Sequence, residues 1–194
     1  PGTYRLRLSA DGRTEEATLS VLPDGRSRAT AADRQAQLAF ALELRADLNR
    51  VVADIGEVRA IQAQADDLAQ RLVGDGRAAG LVAAANRVSR SAAALEARLH
   101  NPKAEIVYDI LAQRGGTQLH SNLVFLYISA VWGEGAPTMG VREVAAELEA
   151  LIADLESKLA ELKSGELADL EQQAQALNLP RVRLKKPIES EEVD

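Results

Sequence analysis

Residues 1–22 alternate apolar and polar side chains on both sides of a central Asp11-Gly12 pair. An Asp-Gly pair tolerates the positive φ angles of a two-residue turn, so this pattern predicts an antiparallel β-hairpin. One side of the hairpin carries the apolar row, defined here as Tyr4, Leu6, Leu8, Ala17, Leu19 and Val21. An isolated hairpin is only marginally stable in water. Burying the apolar row would stabilise the hairpin by roughly 25 cal/mol for each Å² of apolar surface removed from water. We therefore expect 1–22 to be the terminal strand pair of a β-sandwich whose other strands lie upstream or on another chain.

The rest of the chain has the periodicity of helices. The polar stretch 23–31 is predicted to be a linker, and it is long enough to let the hairpin point away from the helices. A first helix is predicted over about 32–73, with Thr30 or Asp33 as its N-cap. Its apolar residues step by three and four in a heptad seam, which consists of Leu44, Leu48, Val51, Ile55, Val58, Ala65, Leu68 and Leu72. Gly56 within this helix indicates close approach of a neighbouring helix, with a hinge as the alternative.

Three shorter helices are predicted after the first helix. An Ala-rich helix is expected over about 77–99, after a Gly-Asp-Gly turn. Asn101-Pro102 then starts a short helix through EIVYDILAQ, because Pro suits the first helical position. The most apolar stretch, 118–132, is predicted to be a helix capped by Thr117.

Thr138 is the predicted N-cap of a second long helix, which ends near Lys163. Its seam again steps by three and four through Val141, Val144, Leu148, Leu151, Leu155, Leu159 and Leu162. Ser164-Gly165 is expected to break this helix before a last amphipathic piece.

The predicted fold class is mainly α, an antiparallel helical bundle over 32–179 preceded by the β-hairpin that completes an upstream β-sandwich. The two heptad helices are expected to pair lengthwise. Hydrophobic residues make up 46% of the chain and aromatic residues only 3%, which favours helices packed through small side chains. The tail 180–194 is charged and has no periodicity, so we expect it to be extended or disordered.

Composition removes several function classes. The net charge of −6 argues against a general nucleic-acid binder. The absence of cysteine excludes disulfides, thiolate catalysis and Cys-ligated metals. No stretch has the roughly 20 consecutive apolar residues that span a bilayer, so no membrane span is expected. Pro1 begins an alternating strand and not a signal peptide, which favours a cut through a larger protein.

Chemistry-bearing residues are sparse and scattered. His100 and His120 have no second ligand at a metal-binding spacing, which favours capping or packing roles for both. Adjacent carboxylates such as Asp66-Asp67 diverge by about 100° on a helix and do not face one site. The stretch GEGAPTMG has neither the lysine nor the preceding strand of a phosphate loop, so it is interpreted as an interhelical turn. These patterns predict no catalytic residue, no cofactor and no metal site.

The aromatic residues of the 118–132 helix allow two interpretations. Phe125 and Trp132 share a helical face and are expected in the core. The alternative is that Tyr127 or Trp132 contacts neighbouring modules, because amphipathic rings are enriched at interfaces.

Asn101–Glu147, with its blocks YDILAQRGG and GAPT, resembles the C-terminal helical region of bacterial sortilin-like β-propeller proteins, often labelled glycosyl hydrolases or BNR/YVTN-repeat proteins. The opening PGTYRLRLSADGRTEEATLSVLPDGR is similar to the last hairpin of the immunoglobulin-like module that follows their propellers. The resemblance implies propeller repeats upstream and export to the periplasm or the extracellular space. It carries no catalytic residue over to this chain.

Three functions follow as hypotheses. The first is a non-enzymatic structural or interaction module at the C-terminus of a larger exported propeller protein. It would pack on the upstream sandwich and propeller domains, or on a separate chain that carries them. Alternatively, it would self-associate into a homo-oligomer. The second is part of a hydrolase, glycosidase- or peptidase-like, whose active site lies in the upstream propellers. The third is an independent helical adaptor that binds partner helices. The expected interface residues are Tyr4, Leu6, Leu8, Leu19, Val21, Tyr127 and Trp132.

Overall fold

A computed structural model describes residues 1–103, 116–177 and 179. The chain begins with the predicted hairpin, formed by β1 (Gly2–Ala10) and β2 (Arg13–Val21). The turn residues Asp11 and Gly12 have φ angles of 49° and 74°, as a two-residue hairpin turn requires. The register pairs Tyr4 with Leu19 and Leu6 with Ala17, so the apolar row lies on one face of the sheet.

The first helix, α1 (Ala31–Arg71), is 41 residues long and therefore extends about 60 Å. Its N-terminus is a capping box in which the Thr30 hydroxyl accepts from the Asp33 amide and the Asp33 carboxylate accepts from the Thr30 amide. The two alternative caps predicted from the sequence thus act together. The predicted seam is confirmed, and Phe40 and Ile61 join it in the core.

Two helices cover α1 along its length, and both run antiparallel to it. A 3₁₀ turn (Gly76–Ala78) leads into α2 (Ala79–Leu99), which packs on the C-terminal half of α1. The helix α3 (Leu119–Trp132) lies on the N-terminal half, where the Gln37 amide donates to the carbonyl of Ala130 at 2.8 Å. The Asn101 amide donates to the carbonyl of Gly116 and so joins the two described ends on either side of 104–115.

The third column is nearly one continuous helix. It consists of α4 (Met139–Leu162), a π-helical turn (Lys163–Leu167) and α5 (Ala168–Ala176). Thr138 caps α4 as predicted, since its hydroxyl accepts from the amide of Val141. The column runs in the same direction as α1 and packs on α1, α2 and α3. The described helices thus form an antiparallel bundle of three columns: α1, the pair α2 and α3, and the α4–α5 helix.

Several details differ from the sequence expectations. The two heptad helices do not form the main lengthwise pair, because α1 packs most extensively on α2, whose small residues Ala84, Ala85 and Ala92 permit close approach. Gly56 is exposed, and a Cβ atom there would meet no described atom within 4 Å, so none of the described helices approaches it closely.

Helix ends and one core position also need correction. Ser164-Gly165 does not break the chain but lies in the π-helical turn. The N-cap of α3 is Gln118, without a side-chain capping bond, and not Thr117. Val144 is 44% exposed, because the buried stripe at the start of α4 runs through Val141, Ala145 and Leu148.

Two predicted segments lie outside the described residues: the short helix EIVYDILAQ and the tail 180–194. Among the residues that are described, no helix is long and apolar enough to cross a membrane.

Candidate functional site

The hairpin has one apolar face and one polar face, and both are exposed. On the polar face the Arg7 guanidinium donates to the Glu16 carboxylate at 2.8 Å, and the hydroxyls of Ser9 and Thr14 lie 3.0 Å apart. The apolar row lies on the other face, where relative exposure rises from 42% at Val21 to 70% at Leu8. A row of this length exceeds what a single exposed apolar side chain explains, so it indicates a contact surface.

Within the part of the chain that the structure describes, only the open end of the hairpin lies near the bundle. Pro1 and Tyr4 line a cavity of about 690 Å³ together with residues of α1 and α3. The apolar part of this lining comprises Leu38, Ala41, Leu42, Tyr127 and Val131. Since Leu6 and Leu8 do not line the cavity, the distal half of the apolar row projects away from the helices.

The end of α3 presents a further apolar surface beside this cavity. Trp132 is the last residue of α3 and is 83% exposed, and Phe125 is exposed as well. The expectation that these two rings lie in the core is therefore wrong. Tyr127 is half-buried against the core and also lines the cavity. The face that α3 buries carries instead Leu119, Ser121, Leu123, Leu126 and Ala130.

One polar cluster joins α1 to the C-terminus of α2. The Arg59 guanidinium donates to the Glu96 carboxylate at 2.6 Å, and Nε2 of His100 lies 2.9 Å from both groups. Burial of Glu96 favours its neutral form, but the hydrogen bonds from Arg59 and His100 outweigh it and lower the pKa of that carboxyl. His100 is the C-cap residue of α2, as the capping interpretation predicts, and the cluster ties this end of α2 to α1.

His120 lies close to that cluster. Its partial burial, and secondarily the charge of His100, lowers the pKa of its imidazole. Across residues 1–103, 116–177 and 179, no three His, Asp or Glu side chains are placed to hold a metal ion. The predicted loop between α3 and α4 is an interhelical turn that ends at the Thr138 cap.

A second polar cluster lies between α1 and α4. Arg50 binds both oxygens of the Glu156 carboxylate at 3.0 and 2.8 Å, and also contacts Glu149 and Asp47. Lys163 pairs with Glu57 at 2.6 Å. Acidic groups outnumber these cations, and burial together with Glu156 and Glu57 raises the pKa of Asp54 to about 6. The cluster therefore adds charged contacts to the apolar packing that joins α4 to α1.

The structure brings the predicted interface residues together only in part. Tyr4 and Tyr127 line one cavity, Val21 borders a neighbouring one, and Leu6, Leu8 and Leu19 continue outward along the sheet. Trp132 lines neither of these cavities. Sequence reasoning missed Leu38 and Leu42 of α1 and Val131 of α3, which extend the exposed apolar surface. The spacing of four between Leu38 and Leu42, outside the seam, was the available signal.

Comparison with protein families, with curated proteins and with solved structures found no match to this chain. The resemblance of Asn101–Glu147 to sortilin-like proteins therefore stays a prediction.

Proposed function

We propose that this chain is a non-enzymatic structural or interaction module that docks through the apolar face of its hairpin onto a neighbouring β-sheet domain. The observation that carries the proposal is the apolar row, which is exposed along nine-residue strands. Covering such a row stabilises a contact because apolar surface leaves water. The bundle then serves as a rigid support that fixes the direction of the hairpin.

The surroundings of the open end support the same function. Leu22, Val131 and Trp132 are exposed near the base of the hairpin and extend the apolar surface onto the bundle. Interfaces characteristically combine an apolar centre with aromatic residues and a polar rim. Here Arg34, Gln35 and Arg45 supply polar groups around the apolar part of the cavity.

The neighbouring domain that fits the sequence resemblance is an immunoglobulin-like sandwich following propeller repeats in an exported bacterial protein. In that arrangement the chain closes the C-terminus of the larger protein and holds its domains in one orientation. Self-association through the apolar row is the alternative within the same class. A hydrolase with its active site in the upstream propellers and an adaptor for partner helices remain the rival functions.

The test is amide hydrogen exchange, measured by NMR on the purified 194-residue chain at several concentrations. We expect fast exchange for residues 1–22 in the monomer and slow exchange in the bundle core, because only backbone in stable structure is protected. Protection of the hairpin that increases with concentration would indicate self-association. Slow exchange of the hairpin in the monomer would contradict the proposal, since the row would then be covered by its own bundle.

A substitution pair adds a second measurement. Leu6→Thr on the exposed row should change the melting temperature little, whereas Leu123→Thr on the buried face of α3 should lower it strongly. If both substitutions lower the melting temperature equally, the row belongs to the core of this chain and the proposal fails.

A further inference from the structure

The two edges of the hairpin differ in what they offer to an additional strand. Among the described residues the sheet has only two strands, so both outer edges lack a partner. Ala10 and Arg13 flank the two-residue turn, and this pair exchanges hydrogen bonds in such hairpins. Alternation then directs the backbone groups of Thr3, Arg5, Arg7 and Ser9 outward on β1. The outward groups of β2 belong to Thr14, Glu16, Thr18 and Ser20.

The edge of β2 carries charges on the apolar face. Glu15 lies opposite Leu8 and Arg13 lies opposite Ala10, so both side chains point to the same face as the apolar row. Inward-pointing charges are a known device that discourages pairing at a sheet edge, because an added strand would bury them. The corresponding positions of β1 are Tyr4, Leu6, Leu8 and Ala10, which include no charge. The edge of β1 is therefore the one open to pairing.

The polar face of β1 indicates the charge of the partner. Arg7 is paired with Glu16, but Arg5 lies opposite Thr18, which offers no charge. A strand added to β1 would place its own side chains beside Arg5 and Arg7 on the polar face. Opposite charges in such cross-strand pairs stabilise a sheet, and like charges destabilise it. Two copies of β1 paired antiparallel would bring arginines together, so the charge pattern disfavours a second copy of this chain.

We propose that the free edge of β1 receives a third strand from a different polypeptide segment, one that alternates apolar with acidic side chains. Its apolar side chains extend the apolar row, and its acidic side chains lie beside Arg5 and Arg7. Main-chain hydrogen bonds to Thr3, Arg5, Arg7 and Ser9 supply affinity, and the alternating side chains supply specificity. This inference rests on the proposed function and specifies the edge and the charge of the partner.

The probe is a capped peptide of alternating valine and glutamate, as long as β1 at 9 residues. It is added to the full chain at a concentration at which the peptide alone is monomeric. We expect amide exchange at Thr3, Arg5, Arg7 and Ser9 to slow by about tenfold, with no change at the outward amides of β2. The matched control is a peptide of alternating valine and lysine, which should protect much less.

An Arg5→Glu variant is expected to reverse the preference between the two peptides. Protection at the β2 edge, equal protection by both peptides, or no protection at millimolar peptide would each overturn the inference. These outcomes are distinguishable from failure of the proposed function. If the β1 amides are already slow in the free monomer, the hairpin is covered by its own bundle and the proposed function fails first.

Discussion

Asp54 lies in the polar contact between α1 and α4, where it faces Arg50, Glu57, Glu156 and Lys163. Burial and the two glutamates raise the pKa of Asp54 to about 6. The folded chain therefore holds a proton between about pH 4 and 6 that the unfolded chain has already lost. The unfolding free energy consequently falls as pH rises through that window, and the loss persists at neutral pH.

Asp54→Asn removes this ionisation and should stabilise the chain at neutral pH. Because Asp54 is only partly buried and solvent screens its charge, we expect only about 1 kcal/mol at pH 7.5 and almost nothing at pH 4. Urea unfolding at the two pH values measures the difference. Glu43→Gln, an exposed change on the same helix, is the control. An equal gain at both pH values would show that ionisation of Asp54 is not the cause.

Leu148 and Val144 are one turn apart on α4 and provide a matched test of burial. Leu148 is 8% exposed and Val144 is 44% exposed. Leu148→Asp should cost several kcal/mol because it buries an unpaired charge, while Val144→Asp should cost less than about 1 kcal/mol. Thermal melts of the two variants compare them directly. Similar losses for both would mean that the face of α4 is misassigned.

At this scale, local chemistry was predictable and neighbour-dependent burial was not. The caps at Thr30 and Thr138 depend on residues within one turn, and both were predicted from the sequence, whereas the cap predicted at Thr117 lies one residue later, at Gln118. Helical spacing identifies a face, so it placed Val144 and Phe125 in the core, and Trp132 as well in one of its two interpretations. Spacing cannot tell which part of that face a neighbouring helix covers.

The hairpin is the element that the sequence specified most completely. The alternation of apolar and polar side chains identified its two faces, and Asp11-Gly12 identified its turn. Together the faces and the turn determine which residues of the two strands pair. What the alternation could not supply was the position of the hairpin relative to α1 and α3. That position depends on the linker conformation and on the arrangement of residues around the two cavities that Tyr4 and Val21 line at the base.

Gly12→Val should destabilise this element selectively. Gly12 has a φ angle of 74°, where a β-branched side chain is strained by about 1–2 kcal/mol. We expect loss of the cross-strand nuclear Overhauser contacts between Tyr4 and Leu19, with the bundle resonances unchanged. Gly25→Val, in the linker without a positive φ angle, is the control and should preserve those contacts. Retention of the contacts in Gly12→Val would contradict the turn assignment.

For the whole molecule, the hairpin and the bundle should be energetically separable. Few contacts join the two parts among the described residues, so deletion of residues 1–22 should shift the melting temperature by only a few degrees. Differential scanning calorimetry of both chains measures this shift. A large drop would show that packing around the cavity at the base of the hairpin stabilises the helices.

The intact chain is also expected to show no turnover of nitrophenyl glycosides or of labelled casein. His100 hydrogen-bonds to Glu96 and Arg59 at the C-terminus of α2. This structural role accounts for its position without catalysis. Turnover that disappears in His100→Ala or His120→Ala, while folding is retained, would overturn the non-enzymatic proposal.

The π-helical turn at Lys163–Leu167 adds one residue to the third column relative to a regular α-helix. The residues after the turn nevertheless keep the same face toward the core. Five residues of a regular helix rotate by about 500°, so Leu162 and Leu167 would not share a face. The wider turn returns both leucines to the core. Deletion of Gly165 should therefore leave the leucines four apart on a regular helix, with the melting temperature unchanged or raised. The column therefore tolerates a one-residue deletion at this turn. A deletion elsewhere in the column would rotate the downstream residues by about 100° and move their apolar side chains away from the core.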